Sequence, residues 1–154
     1  MTHDDAPSER PAGTGRRLAA GLLFALVLAG CGSREPSAES VLRAWSQELN
    51  SGDNEAAAKL FAKNARVVQP GVVIRLRTYE QALAWNAALP CSGKIVRVTG
   101  KGNIASATFV LGDRQTSKCD GPGERATALV RVRKGKIVLW HQTSGGSSTV
   151  VPAI

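Results

Sequence analysis

The sequence predicts an α+β fold, a mostly antiparallel sheet curled over helices that are grouped early in the chain. Three observations carry this. Apolar residues recur at helical spacing between residues 38 and 62. From residue 94 onward, short runs rich in Val, Ile, Leu and Thr are separated by glycine turns. The order helix, helix, strand, strand, helix, then four strands leaves the sheet one face to cover with helices. A sheet curled in this way can enclose a pocket.

Residues 1–15 are polar, with Pro7 and Pro11, and read as unstructured. Arg16 and Arg17 precede an apolar run from Leu18 to Gly30. That run falls short of the ~20 residues a spanning helix needs. A charged stretch, a short apolar stretch and small residues before a break describe a secretory signal. Leu28-Ala29-Gly30-Cys31 matches the lipobox and resembles bacterial lipoprotein precursors. The resemblance implies cleavage before Cys31, a diacylglyceryl thioether on its sulfur and an acylated (palmitate-type) N-terminus. Acyl chains would then anchor the protein at ~0.8 kcal/mol per buried CH₂. The alternative is an uncleaved signal anchor with Cys31 an incidental thiol. The expected organisation is a cleaved signal peptide over 1–30, a lipidated tether over 31–37, a folded domain over 38–143, and a Gly/Ser-rich then apolar tail over 144–154. The expected location is the outer side of the cell membrane, or the outer membrane, with the lipid as the membrane contact.

Within the domain, Val41, Leu42, Trp45 and Leu49 set the apolar stripe of a first helix, capped by Ser37 or Ser40 and stopped at Asn50-Ser51-Gly52. Asp53 caps a second helix, NEAAAKLFA, with Ala57, Leu60 and Phe61 on its buried side. ARVVQ and VVIRLR are strands around a Pro70-Gly71 turn. Thr78 and Gln81 form a capping box that opens a helix to about Ala88. KIVRV, IASATFVL, RATALVRVR and KIVLWHQ are the four late strands.

Two further features bound the chemistry. With Cys31 assigned to lipid, Cys91 and Cys119 remain, an even pair that suggests a disulfide in an oxidising compartment. Two free thiols would instead fit a cytoplasmic domain. The net charge is +8. The first 30 residues contribute nothing to it, since Asp4, Asp5 and Glu9 balance Arg10, Arg16 and Arg17. Nucleic-acid binding would need a focused basic stripe with interleaved stacking aromatics, and none is visible. A solvated edge that discourages strand pairing, or attraction to an anionic lipid surface, accounts for the cations instead. Phosphate loops, metal-ligand sets and nucleophile elbows are missing from the sequence, so no cofactor and no metal are expected.

Residues 41–69, VLRAWSQELNSGDNEAAAKLFAKNARVVQ, resemble the opening of the nuclear transport factor 2-like superfamily in its SnoaL-like branch. The shared features are a helix with an aromatic, N-x-G-D, L-F-A and a short strand. Thr78–Trp85 and GKIVLWHQ fit later elements. The resemblance covers about residues 38–142 and implies a cone-shaped fold with an internal cavity. This fold hosts enzymes, binders and assembly modules alike. In the ketosteroid isomerases of the group, the resemblance sets Trp45 at the oxyanion-hole tyrosine, Gln69 at the general-base aspartate and Ala128 near the second oxyanion donor. An amide cannot take a proton at neutral pH and alanine offers no polar group, so that chemistry is not expected.

What remains is a tentative pocket of Trp45, Trp85 and Trp140 with Gln69 and Gln142 as polar handles, which doubles as a core-packing set. Strand alternation in KIVLWHQ places Val138, Trp140 and Gln142 on one face, which by the resemblance lines the cavity. It places Ile137, Leu139 and His141, with Leu129 beside them, on an outer face where members of this superfamily dimerise. His141 lacks a paired acid or nucleophile, so an interface or surface role is expected for it. The functional expectation is a lipid-anchored binder of a small, partly apolar ligand or of a partner protein, without catalysis. The alternatives are a cavity enzyme of isomerase, cyclase or dehydratase type with atypical residues, and a homodimeric interaction module.

Overall fold

Helix α1 (Ala38–Asn50) forms because Val41, Leu42, Trp45 and Leu49 bury one stripe, and it starts where the Ser37 side chain accepts from the Ser40 backbone N–H. The computed structural model describes residues 35–144. Cys31, the signal and tail segments and most of the tether therefore lie outside the described residues. None of the described helices is long and apolar enough to cross a membrane. The chain divides into Met1–Gly32 and Ser33–Ile154. Among the described residues, the core, the strand pairings and the disulfide all fall between Ala38 and Ser144, within the second unit.

Asp53 caps α2 (Asn54–Lys59) by accepting from Ala56 N at 2.8 Å. Here the expectation is corrected. Phe61 and Ala62 do not extend the helix; they open strand β1 (Phe61–Gln69). Leu60 donates its backbone N–H to Ala57, closing the helix, and its carbonyl accepts from Ile137 N at 2.8 Å. The chain thus joins the sheet one residue after the helix ends. Asn64 takes φ 64°, and between Phe61↔Ile137 and Arg66↔Leu139 the parallel pairing shifts register. A polar residue in the left-handed region lets β1 bulge and still return Ala65, Val67 and Gln69 to the inner face.

Strand β2 (Val72–Leu76) returns antiparallel, and α3 (Tyr79–Ala88) follows. The Thr78 hydroxyl accepts from Gln81 N at 3.3 Å, as a capping box requires, but Gln81 Oε1 reaches back to Arg77 N at 2.7 Å instead of to the cap residue itself. Strands β3 (Ser92–Lys101), β4 (Ile104–Gly112), β5 (Arg125–Arg133) and β6 (Lys136–Ser144) complete a six-stranded sheet in the order β2-β1-β6-β5-β4-β3. Only the β1–β6 pair is parallel. The α+β class and the mostly antiparallel sheet are as the sequence predicts. Helix α1 is pinned to β3 at Gly93, whose carbonyl accepts from Ser46 Oγ at 2.9 Å and Asn50 Nδ2 at 3.0 Å. A Cβ at Gly93 would sit 3.1 Å from Phe109 Cδ1, so the close approach depends on glycine.

Strand β6 holds the second correction. Ile137 is wholly buried in the core and does not lie on the outer face. The β5–β6 register shifts between Arg131↔Leu139 and Val132↔Ile137, leaving Val138 as the extra residue. Strict alternation fails there because a bulge restarts the inside–outside phase. Leu139 and His141 do share the outer face with Leu129, which pairs with His141, and all three are half-buried.

Candidate functional site

The cavity lies between the C-terminal half of α1 and the inner faces of β1, β6, β5 and β4. Its wall includes Trp45, Phe109, Ala128 and Trp140, with Gln69 and Gln142 as the inner polar groups. The three positions set by resemblance against isomerase machinery, Trp45, Gln69 and Ala128, therefore do converge on one space. Trp85 does not line it. That side chain is fully buried behind the wall, stacked on Trp45 at 6.3 Å between centroids and edge-on to Phe61 at 5.4 Å.

Aromatic rings occupy most of the interior. Trp45 and Trp140 lie 4.3 Å apart, and Phe109 is 6.2 Å from each of them. The volume left is about 90 Å³, against the roughly 300–1,000 Å³ of most small-molecule sites. Three of the candidate pocket residues, Trp45, Trp140 and Gln69, are buried. Gln69 donates its Nε2 to Gln142 Oε1 at a long 3.4 Å, while Gln69 Oε1 is buried without a protein donor. A buried acceptor left unmatched is costly unless something in the cavity donates to it.

The indole N–H of Trp45 is directed away from the cavity's open volume. It donates to Asn86 Oδ1 at 2.8 Å, and Asn86 is itself fixed by donating to Ala82 O at 2.8 Å. Asn86 was not visible as a site residue from the sequence, although a polar residue one turn after Ala82 on the buried stripe of α3 is a detectable signal. Arg114 gave no such signal. Its guanidinium is buried, with Nη1 donating to the carbonyls of Asn86 and Leu89 at 2.8 Å each and Nη2 to Asn54 Oδ1 at 2.6 Å. It ties the end of α3 to the start of α2, and burial pushes its pKa below the ordinary arginine value.

The mouth is framed by Leu89, Pro90, Cys91 and Ser92 on one side and Leu111 and Asp120 on the other. Cys91 and Cys119 form the expected disulfide, with their Cα atoms 4.5 Å apart. An Asp120 oxygen lies 3.2 Å from the Cys91 sulfur. Because each sulfur is bonded to the other, this trio offers no thiolate to a metal. Asp120 is exposed and is the only ionisable side chain that touches the cavity among the described residues.

No family model and no curated protein matches the sequence. Solved structures do match the fold. A nuclear transport factor 2-like protein of unknown function from Cytophaga hutchinsonii superposes with TM-score 0.58 at 16% identity, over 71% of this chain and 90% of that one. A cystatin-fold protein from Novosphingobium aromaticivorans gives TM-score 0.57 at 14% identity, over 71% and 99%. A protein with a ketosteroid isomerase-like fold from Catenulispora acidiphila, solved with trimethylamine, gives 0.56 at 17% identity, over 68% and 84%. The class is therefore an α+β domain of the nuclear transport factor 2-like fold, with an internal cavity narrowed by tryptophan.

Proposed function

We propose that this chain is a lipid-anchored, extracytoplasmic protein of the SnoaL-like type whose domain binds a small, partly apolar molecule without catalysis. The observation that carries the binding reading is the unmatched Gln69 Oε1 in a cavity otherwise walled by Trp45, Phe109 and Trp140. Such a site suits a ligand of a few heavy atoms that presents one N–H or O–H to Gln69 and apolar surface to the rings. Small alkylammonium ions meet both demands, since indole faces attract cations and Asp120 stands at the rim. Trimethylamine in the Catenulispora neighbour is of this size and class. The non-catalytic reading rests on the wall: an amide at position 69, alanine at 128 and a Trp45 N–H already engaged by Asn86 offer no acid, base or oxyanion donor. The anchored reading rests on Leu28–Cys31.

The test is calorimetric titration of residues 33–154 with trimethylammonium and with neutral tert-butanol, repeated on Gln69→Leu. Saturable binding of either probe that is lost in Gln69→Leu supports the site. Absence of binding by both would sink the ligand reading. It would favour a second one, in which the three tryptophans serve only to fill the interior of a partner-binding module. The small residual volume is the observation behind that alternative.

A further inference from the structure

The sheet is charged in one sense only. No Asp or Glu occurs in any of its six strands. On the face turned away from the helices, the register aligns Arg75, Arg66, Leu139, Arg131, Ile104 and Lys101 as direct cross-strand neighbours. The four cations in that row are exposed. Beyond it, Arg133 pairs with Lys136 across the β5–β6 hairpin, with Lys134 in the turn. Like charges placed opposite one another weaken a sheet. Among the described residues the ion pairs are Glu39–Arg43 and Asp113–Lys118, and neither neutralises this row.

The chain reaches the domain at this same end. Glu35 accepts from the backbone N–H of Gly135 at 3.0 Å, and Pro36 lies against Gly135. The cavity mouth is at the other end: Glu39 at the start of α1 lies beside Gly100, whereas Asn50 at its end bonds Gly93 beside the mouth. A 13-residue helix separates the two, about 18–20 Å.

We propose that the end of the domain bearing Arg66, Arg75, Lys101, Arg131, Arg133 and Lys134 docks on the anionic headgroups of a lipid bilayer, with the cavity mouth turned away from it. Charge complementarity selects this occupant. A second copy would set cation against cation, and a single-stranded nucleic acid would need exposed stacking aromatics that these strands lack on this face. Chain length agrees. Cys31 precedes Glu35 by four residues, a reach of at most ~14 Å. Each cation near an anionic surface strengthens partitioning roughly fivefold.

The experiment uses residues 33–154, which carry no lipid, so its result is independent of both the anchor and the cavity reading. Vesicles of equal parts phosphatidylglycerol and phosphatidylcholine are compared with pure phosphatidylcholine by co-sedimentation at low and high NaCl. Expected is partitioning to the anionic vesicles alone, weakened by salt. A variant carrying Arg131→Glu, Arg133→Glu and Lys134→Glu should lose at least roughly a hundredfold, since it removes three cations and adds three anions. A variant of equal charge, Lys94→Glu, Arg97→Glu and Arg125→Glu, should lose far less. Equal losses in the two variants would mean that net charge alone acts, and would overturn the assignment of this end. So would failure to prefer anionic vesicles; capture by poly-glutamate in that case would identify an acidic polypeptide as the partner. Should the triple variant not fold, Arg131→Gln and Lys134→Gln are measured singly, each with an expected loss of roughly fivefold.

Discussion

The indole N–H of Trp45 and the side-chain oxygen of Asn86 are 2.8 Å apart in the fully buried interior, so α1 and α3 are joined by a polar bond through the core. This bond fixes the ring that forms one wall of the cavity. Asn86→Leu keeps the volume but leaves the indole N–H without an acceptor, and is expected to cost about 1–3 kcal/mol in urea unfolding. Trp45→Phe on the same background removes the stranded donor. The pair should therefore couple, by about 0.5–3 kcal/mol in a double-mutant cycle. Strict additivity would show that the bond has no energetic role.

Arg114 holds three oxygens from two helices with a planar fork. Arg114→Lys keeps the charge but cannot reach all three in that geometry. Hydrogen bonds to a charged group contribute about 1.5–3 kcal/mol each, so Arg114→Lys and Arg114→Ala should both lower the unfolding midpoint, with lysine recovering little. A lysine variant as stable as the wild type would show that the fork geometry is unimportant and that charge near the end of α3 is enough.

Much of the fold was legible because the signals are local. Ser37, Asp53 and Thr78 each cap the helix their sequence context predicts, and the late strands stand between glycine turns. The errors came where a strand departs from its own period. Phe61 looked helical because it continues the spacing of Ala57, but the sheet captures it after Leu60. Ile137 looked external because Val138 bulges out of the ladder. For the site, Trp45, Gln69, Trp140 and Gln142 could be assembled in advance, since they sit on inward positions of α1, β1 and β6. Trp85 could not be separated from them, because helical spacing tells which face is buried and not which buried residue meets the open space. Arg114 was hidden because its role depends on where a long loop folds back.

Asp113 organises that loop: its two oxygens accept from Lys118 Nζ at 2.7 Å and from Cys119 N at 2.9 Å. These bonds hold its pKa below the ordinary aspartate value, and they raise that of Lys118. A depressed carboxylate stabilises the fold above the unfolded pKa of ~3.9. That contribution is lost as pH falls through the lower folded value. The lysine contribution is present below ~10.4 and is lost as pH rises through its raised value. The protection factor of the Cys119 amide, its exchange rate relative to the intrinsic rate at each pH, should therefore fall in acid, and Asp113→Asn should remove most of that pH dependence. Unchanged protection across the acid range would mean that the disulfide and the loop's other bonds hold the Cys119 amide without Asp113.

The Cys91–Cys119 bond closes a separation of 28 residues. In the chain-entropy account such a closure contributes roughly 3–4 kcal/mol by restricting the unfolded chain. The loop has ties besides the disulfide: Ser117 Oγ donates to Pro90 O at 2.9 Å and Arg114 bonds Leu89 O. The native state should thus change little while the unfolded state gains freedom. Dithiothreitol, or Cys91→Ser with Cys119→Ser, is expected to lower the urea midpoint by an equivalent of about 3 kcal/mol. The aromatic near-UV signal from the tryptophans should persist at low denaturant. Cys91 also borders the cavity mouth, so the same samples separate two roles. If reduction shifts the midpoint but leaves probe affinity intact, the bond serves stability alone. If affinity falls while the near-UV signal holds, the bond also shapes the mouth of the site.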